Sequence, residues 1–334
     1  MKVTVGLTCV NALSRWMSMT IHREGNIYEI KCANGAITQP TKKIGDTKKT
    51  GTTVSFLPGN KWLPEFDELG GFDSGLTEEM LKITAYLYPL LTMTFHDKKA
   101  NQKKKTFHYD NGTVDFVKDY NSGKNLLPDI LNISGSHKIK VGKNGDSEEI
   151  VVKGNIAMTW NETAKEEIYG YVNGLRVREG THITGFKLAM ATEIKKAIRE
   201  RDLLKGKDAE MEITGDDTRE GLICIISIDI PVPQFHGQTK DKLSNGEAQG
   251  AVQRLTGELI RETMDQSSGT AKIICLRAIA AARARNAADK ARETTRKSGM
   301  KEINSLPTKL KDCISKNPEE CELFITEGKL SCSH

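Results

Sequence analysis

Residues 222–250 read LICIISIDIPVPQFHGQTKDKLSNGEAQG and join an apolar run to a polar loop and a helix. The run at 222–230 is almost entirely apolar, which predicts a central strand covered on both faces. The loop at 237–240 carries an amide, a hydroxyl and an ammonium group. The Lys240 ammonium suits a terminal phosphate, and the Gln238 amide can donate to the same oxygens. A solvated loop lysine is the competing interpretation, because most exposed lysines bind nothing.

Helices are predicted on both sides of this stretch. Upstream, apolar residues recur at helical spacing over 186–197, so the order strand, helix, strand predicts an α+β layer. Downstream, Ser244 and Glu247 have the spacing of a capping box, which predicts a helix starting near Asn245. The Ser-Ser-Gly at 267–269 interrupts that helix, and a second one follows.

The second helix, predicted over about 271–297, is apolar at first and then alanine-rich and basic. Between 283 and 297 it contains six Lys or Arg and two Asp or Glu, whereas the whole chain has a formal charge of +5. Such a helix bridges two domains or faces DNA, and its charge favours neither interpretation. The candidate DNA contacts are Arg283, Arg285, Arg292 and Arg296.

Length and composition bound the class of protein. A chain of 334 residues with 37% hydrophobic and 28% charged residues predicts a soluble protein of two domains, or of one domain flanked by fragments. No run reaches the roughly 18 apolar residues of a membrane span, and no leader is evident, so we expect a cytoplasmic protein. The seven cysteines lack the two-residue spacing of zinc or redox motifs, which predicts reduced thiols.

The first half of the chain and the turn before 186 give further local predictions. Residues 6–16 have helical spacing beginning at Gly6, and such a helix end offers backbone N–H groups to an anion; an ordinary amphipathic helix is the alternative. Residues 17–32 predict a hairpin, and 113–120 a helix. His182 follows a glycine turn with no second His or carboxylate beside it, which favours a structural hydrogen-bonding role.

Several stretches, in the same order along nearly the whole chain, together resemble one family: the B subunit of DNA gyrase and its relative in topoisomerase IV, the ATP-driven type IIA topoisomerases. These stretches are VNALS (10–14), KTGT (49–52), EGTHITGF (179–186), TREGLICIIS (218–227), PQFHGQTKDKL (233–243), AARARNAADKARETTRKS (281–298), LPTKLKDC (306–313) and PEECELFITEG (318–328).

The resemblance implies an α+β fold and three parts. Residues 1–75 correspond to the end of an ATP-binding domain, a partial sandwich of the gyrase, chaperone and mismatch-repair type. Residues 76–298 correspond to a transducer domain, a ribosomal-protein-like βαβ layer with a long basic helix. Residues 299–334 correspond to a linker and the start of the metal-binding cleavage (Toprim) domain.

The same resemblance assigns roles to residues of this chain. Lys240 matches the lysine that reaches the γ-phosphate of ATP, with Gln238 beside it. Gly6 matches a glycine of the lid over the phosphates, and Thr52 a threonine near the adenine. Glu327 matches the first acidic ligand of a magnesium site. In the intact protein the implied cofactors are ATP and Mg²⁺, and the implied partners are DNA, the DNA-cleaving A-type subunit and a second copy joined through the ATPase gate.

This sequence departs from the family pattern at both ends. The family's general-base glutamate, magnesium-binding asparagine and adenine-binding aspartate precede the lid, whereas this chain begins inside the lid with Val3 and Thr4 in place of a His and a Gly. After Glu327 and Gly328 the second half of the metal site is absent. We therefore expect an internal piece of such a gyrase B protein, truncated at both ends and inactive alone.

Two alternatives remain at this stage. One is a non-catalytic dimerisation or DNA-binding module derived from the same family. The other is an ATPase that shares the transducer, such as a mismatch-repair protein or a chaperone. The stretch at 318–328 argues against the second, because those proteins do not continue into a metal-binding cleavage domain.

Overall fold

The structure is a computed structural model that describes residues 5–59, 63, 64, 66, 71–98, 104–141, 148–303, 315 and 317–322. The chain forms two compact units, Met1–His108 and Tyr109–His334. Each unit combines helices with a sheet, which confirms the predicted α+β class. The three functional parts expected from the sequence stay a prediction.

The first unit is built on a four-stranded antiparallel sheet. Its elements are α1 (Val5–Ala12), β1 (Ser14–Arg23), β2 (Asn26–Ala33), β3 (Ala36–Asp46), β4 (Gly51–Pro58), α2 (Ser74–Leu87), β5 (Met93–Phe95) and β6 (Lys105–Phe107). The sheet order is β3-β2-β1-β4. Strands β1 and β2 form the predicted hairpin, and Glu24 and Gly25 at its turn have φ of 53° and 78°, as a two-residue hairpin turn requires.

The helix predicted over residues 6–16 is shorter than expected. Helix α1 ends at Ala12, and the Ser14 hydroxyl donates a hydrogen bond to the Val10 carbonyl (2.6 Å) just beyond that end. Trp16 lies in β1 opposite Ala33 and is 45% exposed. The helical spacing was misleading here because β1 gains backbone hydrogen bonds from strands on both sides.

The second unit is a five-stranded mixed sheet with helices packed on it. Its elements are α3 (Thr113–Tyr120), β7 (Leu131–Val141), β8 (Glu148–Trp160), β9 (Glu167–Val172), β10 (Leu175–Arg176), β11 (Glu179–Gly180), α4 (Thr181–Glu200), β12 (Leu222–Asp229), β13 (Lys242–Leu243), α5 (Gly246–Gln266) and α6 (Ser268–Ile303), with short 3-10 turns at Gly206–Asp208, Asp217–Arg219 and Pro318–Glu320.

The sheet order β10-β9-β12-β8-β7 places β12 at the centre, as its apolar sequence predicted. Strand β12 pairs antiparallel with β8 and parallel with β9. The parallel pair is joined through α4, which gives the predicted βαβ unit. Residues 222–226 of β12 have no exposed surface.

Glycines allow α4 and α5 to approach their neighbours closely. A Cβ on Gly185 of α4 would lie 2.3 Å from the Gln249 carbonyl oxygen of α5. On the sheet, Gly135 of β7 and Gly154 of β8 are cross-strand partners, and Leu255 of α5 fills the space above both. The core of this unit therefore depends on close contacts, with backbone at Gly185 and with a side chain at Gly135 and Gly154, that only glycine permits.

The break between the last two helices falls at Ser267, inside the predicted interruption. Helix α6 is buried at many positions up to Ala282, and its side chains are mostly exposed from residue 283 to residue 297. None of the helices that the structure describes combines the length and apolar content of a membrane span. Cys9, Cys32, Cys224 and Cys275 are free thiols.

Gly185→Ala is expected to destabilise the protein, whereas Gly250→Ala is expected to stabilise it. Both residues are helical, but an added methyl group meets backbone at Gly185 and open space at Gly250. Overpacking costs about 1–3 kcal/mol, and replacing an unhindered helical glycine gains roughly 0.5–1 kcal/mol. Urea unfolding of both variants measures the two changes in the free energy of unfolding. Equal changes in the two variants would contradict the close α4–α5 packing.

Candidate functional site

The loop that carries Lys240 is closed at its base by two backbone hydrogen bonds. The amide of His236 donates to the Lys242 carbonyl, and the amide of Ser244 donates to the Gln234 carbonyl. The N–O distance is 2.8 Å in each bond. These bonds form a hairpin-like neck, so the residues at its tip are displayed on a fixed base.

The tip itself has an uncommon backbone. Gly237 has φ 91° and Lys240 has φ 58°, a region that costs a non-glycine residue about 1–2 kcal/mol. Lys240 is exposed, and its ammonium lies 5.9 Å from the centroid of the Phe235 ring, within range of a cation–π contact. Gln238 and Thr239 are also exposed. The groups predicted to bind phosphate thus remain accessible to a ligand.

The EGTH turn supports the loop from a second side. The amide of Glu179 donates to the Asp241 carbonyl (3.1 Å), and β11 pairs in parallel with β13. Gly180 has φ 138°, and a Cβ there would lie 2.5 Å from the Leu243 carbonyl oxygen. Only glycine fits this approach. The sequence analysis treated the turn and the loop separately. Gly180 was the residue from which a close backbone neighbour could have been predicted.

The Asn245 side chain bonds to the backbone of the loop and not to the first turn of helix α5. Its Oδ1 accepts a hydrogen bond from the Gln234 amide (2.6 Å), and its Nδ2 donates to the Val232 carbonyl (3.2 Å). Helix α5 begins at Gly246, close to the predicted start, but Asn245 is the N-cap and its side chain makes no bond to the helix. The capping box predicted from Ser244 was therefore wrong, because the buried Asn245 amide is engaged by the loop backbone.

The other two predicted nucleotide contacts lie in the first unit. Gly6 is in the first turn of α1, exposed, with open space around it. Thr52 is exposed on β4 opposite Ile21. Lys240 and Gln238 belong to the second unit, so the assignment of all four residues to one ATP site stays a prediction.

Two of the four candidate DNA-contacting arginines pair with carboxylates of the same unit. Arg283 contacts Asp208 at 2.5 Å, and Arg285 contacts Asp217 through Nε at 3.0 Å and Nη2 at 3.1 Å. Burial raises the pKa of Asp217, but hydrogen bonds from Arg285 and Thr214 outweigh it, so the net pKa lies below the ordinary value. These pairs fix α6 to the segments before β12.

The other two arginines lie on the exposed end of α6. Arg292 is 3.8 Å from Asp289, one turn away and also exposed, and Arg296 is exposed. Ion pairs of this exposed type contribute little to stability. The role of all four arginines in DNA contact stays a prediction, and the exposed pair is the more accessible to a partner.

Glu327, the predicted magnesium ligand, lies outside the described residues. Within the described ranges, His, Cys, Asp and Glu side chains form no group of three or more that could hold a metal ion. The magnesium site therefore also stays a prediction.

His182 lies in the first turn of α4, next to the EGTH turn, and is fully buried. A Cβ on Gly170 would lie 2.3 Å from its Nε2, so the ring packs directly on that glycine. Neither ring nitrogen makes a well-aligned hydrogen bond to a described residue, but the Val177 carbonyl lies close enough to raise the pKa of the ring, so the ring acts mainly in packing and the expected hydrogen-bonding role stays a prediction. Burial lowers its pKa to about 4, which the Val177 carbonyl opposes only in part.

Comparisons with known proteins agree with this geometry. A family model described as DNA gyrase B matches residues 112–294. The DNA gyrase B protein of Thermotoga maritima is 37% identical over 325 residues, which cover 97% of this chain and 49% of that protein. The DNA gyrase B protein of Bacillus mycoides is also 37% identical over 325 residues, covering 97% of this chain and 76% of that one.

A solved structure of a gyrase B protein is also similar to this chain. The 43K ATPase domain of Thermus thermophilus gyrase B, in complex with an aminocoumarin, aligns with a TM-score of 0.67 at 32% identity, over 87% of this chain and 75% of that chain. The α+β architecture is thus that of a gyrase B ATPase domain. The chain belongs to the DNA gyrase B family. It spans 49% of the length of the Thermotoga relative.

Acidification is expected to weaken the fold through His182. Because its pKa falls from an ordinary 6.5 to about 4 on folding, the unfolded chain binds more protons between these values. The free energy of unfolding therefore decreases as the pH falls from 6.5 toward 4, by up to about 1.4 kcal/mol per pH unit, and this contribution is constant above 6.5. Denaturant unfolding at several pH values measures it.

His182→Asn is the matched variant for this measurement. It is expected to be less stable at neutral pH but to lack the His182 component of the pH dependence. An identical slope between pH 6.5 and 4 in both proteins would show that the buried imidazole does not carry the effect.

Proposed function

We propose that this chain is the ATP-sensing and transducing portion of an ATP-dependent type IIA topoisomerase, which couples ATP binding and hydrolysis to the passage of DNA strands. The observation that carries the proposal is the exposed Lys240 on a loop held by its own neck and by β11. Membership of the DNA gyrase B family supports it. In this proposal residues 1–75 end the ATP-binding domain, 76–298 are the transducer and 299–334 begin the cleavage domain.

Lys240 acts on the γ-phosphate, with Gln238 beside it. A fixed ammonium near the terminal phosphate stabilises the charge that develops on its oxygens during phosphoryl transfer. Since the loop leaves the end of β12, which lies in the centre of the second unit, a phosphate at Lys240 is mechanically connected to that core. The same contact therefore serves as the sensor of ATP.

We infer further that the 334-residue polypeptide does not hydrolyse ATP by itself. Lys240 and Gln238 position a phosphate but cannot activate water, which needs a general base and a magnesium ion. Gly6 and Thr52 would add contacts to the lid and adenine, and Glu327 a partial magnesium site. In the intact enzyme the partners are DNA, the DNA-cleaving partner of the A type and a second copy, and the site of action is the cytoplasm.

Lys240→Ala is expected to remove the preference of the protein for ATP over ADP. With Mg²⁺, a non-hydrolysable ATP analogue should raise the melting temperature more than ADP does, because only the analogue presents a γ-phosphate. Losing one charged hydrogen bond costs about 1.5–3 kcal/mol, or roughly 10- to 150-fold in Kd.

Lys242→Ala is the control, since Lys242 is an exposed lysine of the same loop base. It should keep the preference for the ATP analogue. An unchanged preference in Lys240→Ala would contradict the γ-phosphate role. ATP turnover by the wild-type polypeptide that disappears in Lys240→Ala would instead overturn the inferred lack of hydrolysis.

DNA binding by the exposed end of α6 is a second candidate function, favoured by the basic, exposed side chains of residues 283–297. Replacing Arg292 and Arg296 by Ala should weaken binding to duplex DNA and reduce the slope of log K against log salt by about 2, since each phosphate contact contributes about 0.9. Arg283→Ala, with Arg285→Ala as a second control, should change the slope less because both side chains pair with buried or half-buried carboxylates. Salt-independent binding, or equal losses in all variants, would rule this function out.

A further inference from the structure

The segment that leads from β12 to the neck limits how far backbone pairing can extend. Pro231 and Pro233 lack the amide N–H group, so a regular ladder cannot continue through them. The Gln234 amide and the Val232 carbonyl are instead bonded by one side chain, that of Asn245, over 2.6 Å and 3.2 Å. Asn245 thus adds the outermost pair of hydrogen bonds to the neck.

The loop beyond this pair gains little from apolar burial. Val232 is 62% exposed, and residues 236–242 are exposed. Phe235 packs partly against the core of the second unit. Hydrogen bonds therefore set the position of the loop more than apolar contacts do. Removing the Asn245 bonds is expected to loosen the loop and to leave the core in place.

The Asn245 side chain serves the loop at the expense of helix α5. Asn245 immediately precedes the helix, and its backbone has the extended N-cap conformation, with φ −61° and ψ 115°. An Asn at this position ordinarily accepts a hydrogen bond from an amide of the first helical turn, but this side chain makes no such bond. A buried amide is favourable only where its polar atoms are bonded, and here each end of the amide is bonded to the loop.

We propose that Asn245 is a positioning residue for Lys240 and sets the preference of the protein for ATP over ADP. By joining the two ends of the neck, it fixes the backbone that presents the ammonium to the γ-phosphate. This role rests on the proposed γ-phosphate contact of Lys240. Asn245 acts through Lys240 without touching the nucleotide, because its amide is buried and bonded to the chain. A looser neck makes the lysine lose more entropy on binding, which lowers the affinity for the γ-phosphate.

The test is the ratio of two dissociation constants, for ADP and for the non-hydrolysable ATP analogue adenylyl imidodiphosphate, each measured with Mg²⁺ by titration calorimetry. Asn245→Ala should lower the preference for the analogue roughly fivefold for each bond lost, and should leave the affinity for ADP unchanged. Ser244→Ala is the matched control. It changes the adjacent exposed side chain, keeps the backbone bond of residue 244 to Gln234, and should retain the full preference.

Asn245→Asp separates the loop from the helix and also serves as the test if Asn245→Ala does not fold. Asp and Asn are equivalent as N-caps, so a role in starting α5 predicts wild-type behaviour for this variant. A carboxylate can still accept from the Gln234 amide, but it places an oxygen in front of the Val232 carbonyl in place of the donor. Asn245→Asp should therefore lower the preference for the analogue as well.

The possible results distinguish this role from the role of Lys240 itself. Full preference in Asn245→Asp, or equal weakening of ADP and the analogue in the Asn245 variants, would overturn the positioning role. If Lys240→Ala still abolished the preference in that case, the γ-phosphate contact would stand without Asn245. A wild-type protein with no preference for the analogue would overturn both.

Discussion

The burial of β12 on both faces is the constraint on which the second unit depends. Ile223, Ile225 and Ile226 have no exposed surface, and each such side chain contributes about 1.5–3 kcal/mol on burial. Pairing with β8 on one side and β9 on the other fixes the direction of the strand. The core therefore sets the point from which the loop segment leaves the end of this strand.

The loop segment after β12 has a fixed backbone and an exposed charged side chain. Its backbone is held by the neck, by Asn245 and by the EGTH turn, whereas the Lys240 side chain is exposed. A backbone that is already ordered loses little entropy when a ligand binds, so more of the electrostatic attraction appears as affinity. The positive φ of Lys240 lies between the two strands of the neck, where the chain reverses its direction.

Helix α6 uses similar residues for different purposes along its length. Apolar side chains anchor its first half, and Arg285 then joins it to Asp217, whose carboxylate is 4% exposed. Removing one partner of such a pair leaves a buried charge, which is far more costly than losing an exposed pair. Beyond this point the basic residues stabilise the fold little, which leaves them available for a partner.

The sequence by itself determined the elements that depend on near neighbours: the hairpin of β1 and β2, helix α3 at Thr113–Tyr120, the buried strand β12 and the break at Ser267. Its motifs also determined the family. The local pattern failed at Trp16, where strand pairing overrode helical spacing. Only the tertiary structure decided that Gly180 lies against Leu243 and that Asn245 ties down the loop. Such contacts join residues that are distant in sequence or compete with a local alternative, and no periodicity encodes them.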